Sequence, residues 1–265
     1  MERPKRKRVR VFASLSGAVL MRKPGQFLIP MILLCAMLTA AGGCGREATR
    51  SSTITSSFAA EAEKSATFSI VAYDPESGEC GAAVASKFPA VGTVVPFARG
   101  GVGAFCTQHY HNPAFGPRAL DLLAADKSPQ EVIATLLADD PGAAGRQLAV
   151  IDCQGRTAQH NPTSAPQSSH WWGAISGRYY ACQGNTLASA EVVTAMARAY
   201  ESTAGPLADR LLAALVAGDR AGGDHRGRLA AGLIVARPGD KEPSINWQVD
   251  KSDDAVNELA RKRGK

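Results

Sequence analysis

Apolar and polar positions alternate over short runs in the middle of the chain, which is typical of β-strands. The run 67–73 alternates in side-chain size and is rich in β-branched residues, and turn-forming residues at 74–78 separate it from a second run, 80–86. This arrangement predicts a β-hairpin. The strand pattern continues over 91–97 and 101–107. The folded part of the chain is therefore predicted to open with antiparallel strands.

Helical periodicity replaces this alternation at about residue 113. Leu120, Leu122 and Leu123 mark a first helix, and the sequence 128–131, Ser-Pro-Gln-Glu, is a capping box that begins a second one. Asp139-Asp-Pro-Gly is expected to end that second helix. Two helices thus follow the first strands.

The second half of the chain repeats this order of strands and helices. Trp171 and Trp172 are predicted to lie in a long loop, as an aromatic rim for a ligand, a membrane contact or, more plainly, part of the core. A short helix is predicted at the C-terminus. The other predicted elements are a hairpin at 148–151 and 157–160, a strand at 179–183, helices at 188–201 and 207–217, and strands at 230–236 and 245–249.

The predicted elements follow one another as strands, two helices, strands, two helices and strands. This order indicates the α+β class. Antiparallel sheets stacked face to face, with a helix pair on each outer face, would bury every apolar face. We therefore expect a four-layer αββα sandwich. Neither a repeat nor a linker interrupts the pattern, so residues 67–265 are predicted to form a single domain.

The first 44 residues resemble the signal peptide of a bacterial lipoprotein. Basic residues precede an uncharged apolar run of 15 residues, 27–41, which is short for a membrane span. The run ends in Ala41-Gly-Gly-Cys44, which resembles a lipobox whose cysteine is lipidated and becomes the first residue. The alternative is an ordinary leader cut near Ala41.

Residues 45–66 are polar, rich in Ser and Thr, and without hydrophobic periodicity, so they are predicted to be a flexible tether. With Cys44 lipidated, the protein would be a periplasmic or cell-surface lipoprotein. With an ordinary leader it would be secreted. In the first case the lipid anchor is the expected contact with a membrane.

The net charge of the chain argues against a nucleic-acid partner. The chain carries a net charge of +6, but residues 1–25 hold eight basic residues against one acidic residue, so the remainder has a net charge of −1. A near-neutral body has no electrostatic means of holding a phosphate backbone. We expect no binding of DNA or RNA.

Four cysteines and several histidines raise the question of disulfides and metals. Cys80, Cys106, Cys153 and Cys182 would form up to two disulfides in an oxidising compartment, or remain as buried free thiols. His109 and His111 would share one face of an extended segment, with His160, Asp152 or His225 as further ligands. Without an evident third ligand, we favour hydrogen-bonded histidines and expect neither a metal nor a cofactor.

Several separated blocks of the sequence carry a resemblance to known proteins. They are TFSIVAYD at 67–74, AVAS at 83–86 with AVG at 90–92, TQ at 107–108 with NP at 112–113 and GP at 116–117, QGN at 183–185 and GGDHRG at 222–227. In this order they resemble the bacterial and archaeal domain-of-unknown-function family 1028 over nearly all of residues 67–260. The resemblance implies a fold like that of the N-terminal-nucleophile (Ntn) hydrolases, which is an αββα sandwich, and no established substrate.

The chain also departs from the family's pattern. Members usually begin at the Thr block directly after the initiator Met, whereas 66 residues precede Thr67 here. Phe115 stands where a Tyr is usual, and Arg228 to Ala230 stand where a Gln and a Ser are common. A site that used those polar groups would be altered in this chain.

The resemblance makes Thr67 the candidate nucleophile. In Ntn hydrolases a Thr, Ser or Cys at the start of the first strand attacks an amide carbonyl, and its own free α-amino group takes the proton. Thr67 lies at the matching position, although a Thr at a strand start is also simply a good β-former. A cut before Cys44 would leave Thr67 internal, so catalysis requires a second cut between Ala66 and Thr67.

Other residues are candidates for assisting the reaction or binding a substrate. Lys87, at the end of the second strand, would lower the pKa of the nucleophile or take part in proton transfer; the alternative is a solvent-facing lysine. The expected ligand is a small amide or peptide-like molecule, and the alternative function is a non-catalytic binding or structural module. The candidate substrate-binding residues are Gln108, Asn112, Gln183, Asn185, Asp224 and Arg226. Gln183, Asn185 and Asp224 would alternatively cap helices and shape turns, with Asp224 paired to Arg226 or Arg228.

Overall fold

The computed structural model describes residues 67–163 and 171–264, and this part of the chain forms ten β-strands and five α-helices. The strands are β1 (Thr67–Tyr73), β2 (Cys80–Ser86), β3 (Pro96–Arg99), β4 (Gly103–His109), β5 (Arg146–Asp152), β6 (Thr157–His160), β7 (Trp171–Gly177), β8 (Tyr180–Leu187), β9 (Ala230–Ala236) and β10 (Ile245–Val249). The helices are α1 (Phe115–Ala124), α2 (Pro129–Leu137), α3 (Glu191–Ser202), α4 (Leu207–Arg220) and α5 (Ala255–Arg261).

The strands form two antiparallel sheets. The large sheet has the order β10-β9-β2-β1-β8-β7, and the small sheet has the order β3-β4-β5-β6. Strand β1 lies in the interior of the large sheet, where it pairs with β2 on one side and β8 on the other. The first residue of β1 is therefore flanked by two other strand ends.

Alternation along the strands separates three apolar clusters. Phe68 and Ile70 of β1 pack with the side chains of α3, α4 and α5. Val71, on the opposite face of β1, packs with residues of β4 and β5 from the small sheet. Phe105 and Leu148 of the small sheet pack with α1 and α2. The α+β class and the antiparallel sheets expected from the sequence are thus confirmed.

Local sequence signals predicted several elements correctly. The hairpins of β1 with β2 and of β5 with β6 are present. The capping box of α2 has both of its hydrogen bonds, because the Ser128 hydroxyl accepts from the Glu131 N–H at 3.3 Å and the Glu131 carboxylate accepts from the Ser128 N–H at 2.8 Å. The formation of these elements depends on residues that are close in sequence, so they could be predicted from the sequence.

The prediction of a strand over 91–97 was wrong. Val91–Thr93 is a short 3-10 helix and only Pro96–Arg99 is a strand. Ala90 adopts a left-handed backbone with φ of 51°, which breaks an extended run. Gly92 lies against the backbone of β9, since a Cβ built on it would be 3.1 Å from the Gly232 Cα. This contact, distant in sequence, fixes the segment.

The prediction that Trp171 and Trp172 lie in a long loop was also wrong. Both residues begin β7, which pairs with β8 and has an irregularity in register between Trp171 and Gly173. Trp171 packs against the cluster under α3 and α4, whereas Trp172 is 37% exposed. The irregular register and the small residues of β7 weaken the alternation that would have marked a strand.

Cys80, Cys106 and Cys182 are buried free thiols, which is the second of the two alternatives expected for them, and Cys153 is a free thiol that is only partly buried. Burial raises the pKa of the Cys80 thiol to about 11 and that of Cys106 to about 12. Within the described ranges, no helix has the length and apolar character needed to cross a membrane. The predicted signal peptide, Cys44 and the predicted tether lie outside the described residues.

Candidate functional site

Thr67 begins the interior strand of the large sheet. In register it pairs with Ser86 of β2 and with Asn185 of β8. The residue is 3% exposed, and its Oγ1 lies 3.0 Å from the Ser86 Oγ. The Ser86 Oγ also accepts a hydrogen bond of 2.9 Å from the Phe88 N–H. The hydroxyl of Thr67 is therefore held next to a second hydroxyl whose own position is fixed.

A group of buried polar side chains lies between the two sheets beside Thr67, and we call it the inter-sheet polar network: Ser69, Gln108, Gln147, Gln183 and Asn185. Gln108 of β4 donates to the Thr67 carbonyl oxygen at 3.2 Å and to the Gln147 Oε1 at 2.7 Å. The Ser69 hydroxyl donates to the Gln108 Oε1 at 2.5 Å. Because a buried amide without a partner is costly, these bonds fix the start of β1 to the small sheet.

Gln147 of β5 connects this network to β8. Its Nε2 donates to the Gly184 carbonyl oxygen at 2.9 Å and to the Asn161 Oδ1 at 2.9 Å, and its Oε1 accepts from the Asn185 Nδ2 at 3.0 Å. Gln183 donates to the Ser69 hydroxyl at 3.4 Å, while its own Oε1 is buried without a hydrogen-bond partner in the part of the chain described. The surroundings of Thr67 are thus polar within an otherwise apolar layer.

A small cavity adjoins Thr67. Its volume is about 10 Å³, which is enough for about one water molecule. One part of its lining is polar and includes a hydroxyl and two imidazoles, and the rest is apolar. The lining residues are Thr67, Phe88, Val91, Val94, Val95, Gln108, His109 and His111.

The two histidines of this cavity differ in their hydrogen bonding. The Nδ1 of His109 lies 2.7 Å from the Gly145 carbonyl oxygen, and its backbone is left-handed with φ of 62°. A carbonyl only accepts, so Nδ1 carries the proton. The ring of His111 packs edge-on against Phe88 with centroids 5.3 Å apart. Burial lowers the pKa of both imidazoles, so both are neutral at neutral pH.

Lys87 and Asp224 meet at the end of β2. The Asp224 Oδ2 accepts from the Lys87 N–H at 3.1 Å, and its carboxylate forms an ion pair with Arg226, one of the two partners expected for it. Arg228 pairs instead with Asp219. The Lys87 side chain is exposed and has no hydrogen-bond or ion-pair partner among the described residues. The Lys87 Nζ lies near Gly227, since a Cβ added to that glycine would be 3.8 Å from it.

Of the predicted site residues, Thr67, Gln108, Gln183 and Asn185 are brought together in one place. Asn112 has a structural role as well, because its Oδ1 accepts from the Ala114 N–H at 3.2 Å just before α1. Its own N–H donates to the Thr107 hydroxyl at 3.1 Å. Whether any of these residues contacts a substrate stays a prediction.

The sequence reading missed Ser69, Ser86 and Gln147. Ser69 lies two residues after Thr67 on the same face of β1, so the strand period was a usable signal for it. Ser86 was passed over in favour of Lys87, although it faces Thr67 across the hairpin. Nothing near Gln147 in sequence marked it, because its partners lie on other strands.

The remaining candidate metal ligands have separate partners in the protein. His160 Nε2 lies 3.1 Å from the Ala143 carbonyl oxygen, and His225 Nδ1 lies 2.9 Å from the Thr186 carbonyl oxygen. Asp152 forms an ion pair with Arg156 at 2.6 Å. In residues 67–163 and 171–264, no three His, Cys, Asp or Glu side chains group in a way that could hold a metal ion.

Comparison with known proteins assigns the chain to a family. The profile of a family of unknown function, DUF1028, matches residues 67–259. The chain belongs to this family, and the match begins at Thr67. No curated protein matches the chain significantly.

A solved structure supports the assignment. The chain is similar to a protein from Silicibacter pomeroyi whose crystal structure is described under DUF1028, with 29% sequence identity and a TM-score of 0.68. The similarity covers 75% of this chain and 85% of the other. Because the family and this relative are both described without a function, the chemistry must be argued from the site.

Proposed function

We propose that this protein is an exported, lipid-anchored amide hydrolase of the N-terminal-nucleophile type, with Thr67 as its nucleophile. The observation that carries the proposal is the Thr67 hydroxyl, placed at the start of an interior strand, within a buried polar network and beside a cavity. Polar groups in a packed core are costly unless bonded, so their concentration at one strand end favours a functional role.

The arrangement of the core supports an αββα sandwich of the Ntn type. Helices pack against one face of each sheet, and a third apolar cluster joins the two sheets. In such a fold, the nucleophile would lie at the end of the inter-sheet layer, which is where Thr67 lies. The resemblance of the sequence to the Ntn-like family points the same way.

The proposed reaction uses the α-amino group that cleavage between Ala66 and Thr67 would free. The freed α-amino group would take the proton of the Thr67 hydroxyl as its Oγ1 bonds to an amide carbon. The carbonyl oxygen then carries negative charge, which Lys87 or a nearby backbone N–H would stabilise. Return of the proton to the leaving nitrogen breaks the C–N bond, and water hydrolyses the ester left on Thr67.

A chain produced with Thr67 as its first residue tests this proposal. We expect a β-lactone electrophile to label Thr67, as measured by intact mass and peptide mapping, and Thr67→Ala to abolish the labelling. Thr67→Ser keeps a hydroxyl and should keep it. A matched chain beginning at Ala66 retains the Thr67 hydroxyl without its free amine and should label far more slowly. A folded chain that shows no labelling dependent on Thr67 would contradict hydrolysis.

The second candidate is a ligand-binding or structural module on the same fold. It is favoured by the size of the cavity, about 10 Å³, which admits no amide substrate without movement of its walls. It is also favoured by the internal hydrogen bonds of Gln108, Gln147 and Asn185. Absence of Thr67 labelling in the folded chain would select this candidate.

The export part of the proposal rests on Cys44. Cys44→Ser removes the thiol that would carry the lipid, so we expect the variant to leave the membrane fraction, whereas the wild-type protein stays in it. Cys35→Ser, within the predicted leader, is the matched control and should not change the distribution. A wild-type protein that is soluble after export, with an N-terminus other than Cys44, would show the lipoprotein prediction to be wrong.

A further inference from the structure

The cavity beside Thr67 contains an imidazole for which the mechanism above has no use. His111 lines the same cavity as Thr67, and its ring packs against Phe88. The N–H of Phe88 bonds to the Ser86 hydroxyl, which lies 3.0 Å from the Thr67 Oγ1. His111 is therefore connected to the Thr67 hydroxyl by a continuous set of contacts through Phe88 and Ser86.

His111 differs from other histidines of the described ranges in its hydrogen bonding. His109, His160 and His225 each direct a ring nitrogen at a backbone carbonyl. The ring of His111 is half-buried and forms no hydrogen bond with any residue in 67–163 or 171–264. An imidazole without a hydrogen-bond partner, beside a cavity that has both polar and apolar walls and room for about one water, is suited to bonding that water.

We propose that a water in this cavity links the Thr67 hydroxyl to His111, and that His111 takes up the hydroxyl proton through this water when Thr67 attacks. The inference rests on the nucleophile proposed above, but it supplies a different base. In a chain that still carries residues before Thr67, where no α-amino group is free, this route would account for the slower labelling of Thr67.

The proton balance of this step is simple. As the Thr67 Oγ1 forms a bond to the amide carbon, its proton passes to the water, and the water gives one of its protons to a ring nitrogen of His111. The carbonyl π electrons move to the oxygen. When they return, the imidazolium releases its proton through the same water to the leaving nitrogen and the C–N bond breaks. A second water then hydrolyses the ester.

The surroundings of His111 keep its imidazole neutral, which is the form that can accept a proton. Burial and the nearby guanidinium of Arg146 lower the pKa of His111. Arg146 is itself paired with Asp140, and His109 and Tyr110 are the titratable neighbours on the same segment. The imidazole is therefore neutral, and able to accept a proton, at neutral pH. Below its pKa it is protonated and the step is lost.

The first test measures the link without any enzymatic activity. Histidine titrations are followed by NMR in the full-length chain, with His111 assigned from His111→Gln. We expect Thr67→Val, which removes the hydroxyl and keeps the shape, to move the His111 midpoint by about 0.5 pH unit, the effect of about one hydrogen bond. Thr135→Val, on the exposed side of α2, should leave it unchanged. An unmoved midpoint in Thr67→Val overturns the inference.

The second test measures the proton transfer. The rate at which a β-lactone labels Thr67 in the full-length chain is compared between wild type, His111→Gln and His160→Gln. We expect His111→Gln to be slower by about 100-fold and to lose the fall in rate at acidic pH, while His160→Gln behaves as wild type. His111→Asn replaces the Gln variant if circular dichroism shows that it is unfolded.

The outcomes separate this inference from the proposed hydrolase. Labelling of Thr67 at the same rate in wild type and His111→Gln overturns the inference and leaves the hydrolase standing. Labelling of Thr67 in no variant, including the chain that begins at Thr67, contradicts the hydrolase. The NMR measurement then decides the water link alone, since a response of His111 to Thr67→Val supports it and no response overturns it.

Discussion

Gln147 joins three parts of the fold through one side-chain amide. Its Oε1 accepts from Gln108 of β4 and Asn185 of β8, and its Nε2 donates to the Gly184 carbonyl oxygen and to Asn161. The residue is fully buried. Because these partners lie on β4, on β8 and in the loop after β6, the position of Thr67 depends on a residue to which it is not hydrogen-bonded.

We expect Gln147→Leu to lower the free energy of unfolding by about 2–4 kcal/mol, since the Asn185 amide loses its acceptor inside the protein. The control is Gln159→Leu, because Gln159 of β6 makes one hydrogen bond, to the Cys182 carbonyl oxygen at 2.9 Å, and is only partly buried. That variant should lose about 1 kcal/mol or less. Urea denaturation measures both. Equal losses in the two variants would contradict the central role assigned to Gln147.

The sequence predicted those site residues that belong to a local pattern. Thr67 begins the first block of the family resemblance, and Gln108, Gln183 and Asn185 lie in later blocks. Ser69 was missed, although it follows Thr67 at the strand period. Gln147 was also missed, because its importance arises from strands that are remote in sequence and meet only when the sheets stack. At the level of residues, Gln108, Gln183 and Asn185 of the inter-sheet polar network were therefore predictable as site residues, whereas Gln147, which joins them, was not.

At the scale of elements, the segment between α2 and β5 is fixed by an ion pair. Arg146 Nε lies 2.7 Å from the Asp140 Oδ2, and both side chains are largely buried. The Arg146 guanidinium also donates to the Tyr110 carbonyl oxygen, in the segment that carries His109 and His111. This pair therefore connects the end of α2 to the wall of the cavity.

The ion pair should make stability depend on pH. The hydrogen bond from Arg146 lowers the pKa of the Asp140 carboxyl below that of an unfolded aspartate, so its stabilisation is present above the unfolded pKa and lost as the pH falls. We expect Asp140→Asn to be less stable than wild type at neutral pH and to lose less stability between about pH 5 and pH 3. Thermal unfolding across this range measures the effect.

Asp139→Asn provides the control for this prediction. Asp139 is the exposed neighbour of Asp140 and has no ion-pair partner among the described residues. Its variant should follow the wild-type dependence on pH. If Asp140→Asn and wild type lose stability in parallel as the pH falls, then Asp140 is not responsible for the dependence.

Elements were predictable where short-range chemistry decides them. The β1–β2 hairpin and the capping box of α2 are specified by adjacent residues. The 3-10 helix at Val91–Thr93 depends on the approach of Gly92 to Gly232, and β7 depends on pairing with β8. Both predictions were wrong, for different reasons. The determinant of the 3-10 helix lies on a strand remote in sequence, whereas β7 forms a hairpin with the strand that follows it, and its irregular register and small residues hide the alternation.

At the scale of the whole molecule, the distribution of charge bears on the partners of the protein. The chain from residue 67 has a net charge of −1. Many of its arginines are already paired with carboxylates, which reduces the positive charge available to an external anion. Such pairs include Arg99–Asp121, Arg156–Asp152, Arg228–Asp219, Arg237–Glu79 and Arg263–Asp209.

We therefore expect a chain of residues 67–265 not to bind DNA or RNA at physiological salt. Phosphate contacts supply most of the affinity in non-specific binding, and they require unpaired basic groups on one surface. Fluorescence anisotropy with labelled single- and double-stranded oligonucleotides measures this directly. The full-length chain is the matched positive control, since residues 1–25 add a net charge of +7. It should bind weakly at low salt and be released as salt rises. Salt-dependent binding by the 67–265 chain at micromolar concentration would show that paired arginines still form an anion surface.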